Sequence, residues 1–104
     1  MPLQKPKLQK KFAASKHPLI VGLLAATKKR GVSLRAIAIN DLKVTQQSLH
    51  GWMVEAVMTV KERRAKGLSD VFEMPPKRVP DLCRATGQRP HVYYPDLWHR
   101  DWKF

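Results

Sequence analysis

Leu19, Ile20, Leu23 and Leu24 recur at i, i+1, i+4 and i+5, a spacing that gathers them on one face of a helix. Pro18 suits its first position, where no amide hydrogen is needed, and Lys28, Lys29 and Arg30 favour its C-terminal end before Gly31 stops it. A second, short helix is expected from Ser33 as N-cap, with Leu34, Ile37 and Ala38 on its inner face. The chain then turns at Asp41-Leu42-Lys43-Val44. Thr45 caps a third helix whose apolar positions Leu49, Met53, Ala56, Val57 and Val60 keep the helical period as far as the polar run ending at Gly67. That period predicts a long third helix of about 20 residues, or about 30 Å. Leu68 to Met74 reads as a connector or a short extended segment, and Pro75 and Pro76 open a fourth helix carrying Val79, Leu82 and Cys83 and ending at Thr86 and Gly87. Pro80 inside that span forces a late start or a distortion, because in a helix interior it costs about 3 kcal/mol. Five of the eight aromatic residues follow Gly87: Tyr93, Tyr94, Trp98, Trp102 and Phe104.

The 104 residues make one small domain, and a hydrophobic share of 43% is enough for a core. The single cysteine rules out an intramolecular disulfide framework. No apolar run approaches the roughly 18 to 20 residues that cross a bilayer, and Leu19 to Ala26 is not followed by a cleavage site. A soluble, cytoplasmic protein with no membrane partner is expected.

Charge adds direction. The chain has 20 Lys and Arg against 8 Asp and Glu, a net +12, and residues 1 to 40 hold +9 of it with no acid at all. A field of one sign on a small domain suits a polyanion, with nucleic acid ahead of acidic lipid or protein. Residues 1 to 16, with Lys5, Lys7, Lys10, Lys11 and Lys16, hold too few apolar side chains to fold alone. They are expected to form a flexible basic arm along a nucleic-acid backbone, the plainer alternative being a solvated tail.

Two short helices joined by a tight turn, the second opening with small or polar residues, form a helix-turn-helix. Residues 33 to 53 meet that description. Thr45, Gln46, Gln47 and Ser48 open the third helix, Leu49 turns inward, and His50 and Gly51 keep the outer face slim. Glutamine donates and accepts together at an adenine edge, while the Thr45 hydroxyl and the first helix amides suit a phosphate. The plainer alternative is a capped, solvated first turn. Arg35, Lys43, Arg63 and Arg64 are the expected phosphate contacts.

The segment Leu42-Lys43-Val44-Thr45-Gln46-Gln47-Ser48-Leu49-His50-Gly51-Trp52 resembles the helix-turn-helix core of small Cro-like prophage regulators of the YdaS type. Two further segments resemble that family in the same order: Met74-Pro75-Pro76-Lys77-Arg78 through Leu82-Cys83-Arg84-Ala85-Thr86-Gly87, and Tyr94-Pro95-Asp96-Leu97-Trp98. The resemblance implies an all-α, lambda-repressor-like bundle of four to five helices that binds operator DNA, often as a dimer, and regulates transcription at the nucleoid of a bacterial host. It gives Gln46, Gln47 and His50 the base-reading role and Thr45 and Ser48 a backbone or mixed one. The chain departs from the pattern at Lys43, where the family has a turn glycine, at Ile39, where it has a small residue, and at Pro80. It also carries an insertion at about residues 54 to 73. The expected organisation is therefore a basic arm (1–16), a helix-turn-helix domain with that insertion (17–90) and an aromatic tail (91–104). The inserted stripe serves either a homodimer through the long third helix or packing against Tyr93, Trp98 and Trp102 of the same chain.

Catalytic chemistry is not expected. Cys83, His91 and His99 match no zinc spacing, and His99-Arg100-Asp101 has no nucleophile beside it. No paired carboxylates in an apolar setting and no glycine-rich phosphate loop occur, so no cofactor or metal is called for. The rival functions are an RNA-binding or ribosome-associated protein stacking bases on Tyr93, Tyr94 and Trp98, and a phage factor that binds a host protein such as RNA polymerase.

Overall fold

The computed structural model describes residues 6–104, with side chains from residue 9 onward. Among these residues the fold is all-helical. Six α-helices are present: α1 (Pro6–Ala14), α2 (Pro18–Arg30), α3 (Leu34–Ala36), α4 (Gln46–Val57), α5 (Val60–Ala65) and α6 (Val79–Thr86). α3 continues without a break into a π-helical stretch, Ile37–Leu42, and α6 follows a 3₁₀ turn, Pro76–Arg78.

Local chemistry accounts for most boundaries. His17 caps α2 by accepting the Leu19 N–H on Nδ1 at 3.1 Å, and Gly31, at φ 66°, closes it with an N–H bond to the Thr27 carbonyl. Ser33 and Thr45 cap α3 and α4 through the Ala36 and Ser48 amides. α6 starts late, at Val79, so Pro80 falls in the first turn where its missing amide hydrogen costs nothing.

Leu19, Ile20 and Leu23 of α2, Ile37 and Leu42 of the π stretch, Leu49 and Met53 of α4, and Val79 and Leu82 of α6 are all buried to 1% exposure or less. Met74 and Phe72 of the connector join them. Gln88 pins the C-terminal segment to this core: its Nε2 donates to the Pro18 carbonyl at 2.9 Å, and the Tyr93 hydroxyl donates to its Oε1. Gly22 makes room for that amide, since a Cβ there would lie 2.3 Å from Gln88 Oε1.

Two expectations are corrected. The long third helix is broken: Met58 is extended at ψ 142°, and Thr59 starts α5 with a capping box. Thr59 Oγ1 accepts the Glu62 N–H at 3.1 Å and Glu62 Oε1 accepts the Thr59 N–H at 3.0 Å. The reciprocal pair satisfies two amides that would otherwise lose partners, so a new helix start competes with continuation. The stripe consequently has no single continuous face: Leu49 and Met53 enter the core, Ala56 and Val57 pack against it, and Val60 is exposed. The basic arm, in turn, is helical over Pro6–Ala14, and Phe12 is buried to 4% exposure. Its composition cannot support an independent core, but one aromatic docked on α4 holds the helix against the domain.

Candidate nucleic-acid interface

The Ser33-capped helix and α4 are joined by a turn shorter than expected, because Asp41 and Leu42 still belong to the π stretch. Lys43 makes the turn in the left-handed region, φ 57° and ψ 40°, a conformation that glycine adopts most readily. The Val44 amide closes it onto the Ala38 carbonyl at 2.9 Å. Leu42 and Leu49, buried on either side, clamp the turn to the core, which aims the first turn of α4 outward.

Thr45, Gln46, Gln47 and Ser48 are all exposed. The Thr45 hydroxyl accepts the Ser48 amide and donates to Ser48 Oγ at 3.0 Å, so the two hydroxyls hold each other in place. These four residues form one wall of an open groove of about 830 Å³. Arg35, Lys43 and Arg78 line it as well, together with the apolar Ile39 and Val44. Ile39, 47% exposed, therefore stands on this face and not in the packing between helices.

Other expected site residues lie elsewhere. His50 is half-buried with its ring edge against Phe12, centroids 6.1 Å apart, and its Nε2 is sealed from solvent without a partner. Docked α1 covers this turn of α4, so His50 is not presented for base reading. Arg63 is 3% exposed and cannot reach a phosphate. Its guanidinium donates to the Ser69 and Glu55 carbonyls, lies 3.6 Å from the Glu55 carboxylate and packs over Phe72, tying α5 and the connector after it to α4. Arg64 is exposed, but its fork is taken by both carboxylate oxygens of Asp70 at 2.8 and 2.9 Å. That pair holds the Asp70 carboxyl below its ordinary range. Lys10, Lys11 and Lys16 are exposed; Lys5 and the Lys7 side chain lie outside the described residues.

No protein family, curated protein or solved structure matches the chain. The site therefore stands on its geometry.

Arg78 is the groove residue that sequence reasoning missed. Its sequence signal is slight, an arginine just ahead of α6, and only folding brings it against the turn at Leu42. Cys83 is buried, and burial pushes its thiol up to about 11 against the opposing pull of Arg84. No three His, Cys, Asp or Glu side chains converge as a metal site among the described residues, and none of the described helices is long and apolar enough to cross a membrane.

Proposed function

We propose that this protein is a sequence-specific double-stranded DNA-binding regulator of the Cro-like prophage type, a lambda-repressor-like bundle that lays the leading end of α4 in the major groove. One observation carries the reading: Gln46 and Gln47 stand exposed on the first turn of α4, beside a groove edged by cations. Gln46 and Gln47 read base edges, where an amide pairs in two-point fashion with adenine. Thr45 and Ser48 meet the sugar-phosphate chain, and Arg35 and Lys43 neutralise its charge. With α1 over His50, reading is confined to the first turn of the helix.

Selection of bound duplexes from a random library at moderate salt tests the reading, and a recurrent motif is the expected result. Gln47→Ala is expected to relax preference at one base position by about 1 to 3 kcal/mol and to leave random duplex binding unchanged. Equal losses on selected and random duplexes reject the base-reading role. The RNA alternative has less support, because Tyr93, Tyr94 and Trp98 are half-buried with their rings packed against the core, and Trp98 also meets Tyr94 and Phe104. Competition between duplex DNA and structured RNA separates the two.

A further inference from the structure

We propose that Arg78 holds a backbone phosphate of the duplex over the groove while it locks the turn that presents the glutamines, an inference that rests on the duplex-binding reading above. Arg78 ends the 3₁₀ turn ahead of α6, and its Nη1 donates to the Leu42 carbonyl at 3.4 Å. Leu42 is the last residue of the π stretch, so this carbonyl is one of the acceptors that a helix end leaves without an internal partner. A guanidinium carries five donors in a planar fork, and one carbonyl leaves most of them for a second acceptor. The same side chain lines the groove with Arg35, Lys43, Thr45 and Ser48.

The distribution of acids gives that second acceptor its character. Arg30, Arg63, Arg64, Arg84 and Arg89 each lie 2.8–3.8 Å from a carboxylate. Arg35, Lys43 and Arg78 have no such partner among the described residues, and no acid lines their groove. Arg100 and the exposed lysines outside the groove also lack a carboxylate partner, so what sets Arg35, Lys43 and Arg78 apart is that three uncompensated cations line one acid-free groove. An anion relieves their mutual repulsion. The groove is open to solvent and lined by the glutamines themselves, a shape that admits a continuous backbone rather than enclosing a small phosphate ester.

The test compares wild type, Arg78→Gln and Arg78→Lys by equilibrium binding to selected and random duplexes across salt. Glutamine removes the charge and ends two bonds short of the Arg78 Nη1 that meets the Leu42 carbonyl, so it removes the turn lock as well, and melting curves verify that each variant folds. Loss of one phosphate contact predicts that the wild-type advantage over Arg78→Gln shrinks by about 3-fold between roughly 50 and 200 mM salt, on both duplexes. Arg78→Lys is expected to keep the wild-type salt slope. An advantage that does not change with salt overturns the phosphate contact and leaves only the turn lock. Millimolar inorganic phosphate at constant ionic strength is expected not to displace the duplex; displacement assigns the groove to free phosphate and overturns the inference. Wild-type binding without sequence selection overturns the roles of Gln46 and Gln47 while the Arg78 slope still decides this one, and absence of duplex binding overturns both.

Discussion

Lys43 is the one non-glycine residue with positive φ among the described residues. A side chain in the left-handed region costs about 1 to 2 kcal/mol, a cost that glycine would avoid. Its charge on the groove edge offers a reason for the lysine. Lys43→Gly is accordingly expected to raise stability by about 1 kcal/mol in urea unfolding and to weaken duplex binding with a shallower salt dependence. A gain in stability with unchanged binding removes Lys43 from the interface. Cys83 makes a second prediction at this scale. Since burial holds the thiol up near 11, little thiolate exists near neutral pH, and native protein should resist alkylation until denaturant exposes the site. Sequence made the two glutamines legible because capping chemistry is local. It misassigned His50 and Arg63 because what covers them, Phe12 and the Ser69 loop, arrives by packing.

The break between α4 and α5 shows two local signals in competition. The apolar period runs across Met58 and Thr59, yet Thr59 and Glu62 carry the spacing of a capping box, and the box prevails. Read as a helix start, those two residues would have placed the break from sequence alone. The Glu62 carboxyl lies below its ordinary value of 4.5 chiefly because it accepts the Thr59 backbone N–H. A depressed carboxylate stabilises above its unfolded value, and that contribution is lost as pH falls through the folded one. Asp70, held down by Arg64, acts in the same direction. The helical chemical shifts of Thr59–Lys66 should therefore decay below about pH 4 while those of α2 and α6 persist. α1 makes a separate prediction. Phe12→Ala should cost at most about 3 kcal/mol and remove the helical shifts of Pro6–Ala14 without unfolding the core, because one aromatic anchors that helix.

For the molecule as a whole, the net charge of +12 becomes specific only through placement. Arg63 is buried in an ion pair and Arg64 is paired with Asp70 on the surface, whereas Arg35, Lys43 and Arg78 line one groove, so under the proposed duplex reading three phosphate contacts are expected to give a log affinity against log salt slope of about −3. If the lysines of α1 follow the same backbone, the slope steepens to about −4 to −5. Replacing Lys10 and Lys11 by glutamine, with Phe12 retained, isolates their share and is expected to make the slope shallower by about 1 to 2 on all sequences alike.

The sequence by itself determined the helical class, the caps at Ser33 and Thr45, the polar leading turn of α4 and the excess of positive charge, because each depends on neighbours within a turn or two of chain. Tertiary structure decided which of those charges face outward, whether the N-terminal segment docks, and that Arg78 joins the turn at Leu42. Those outcomes are set by burial and by pairing between distant segments. Ion pairing consumes some cations and leaves others, and the difference lies in which carboxylate folding brings within reach.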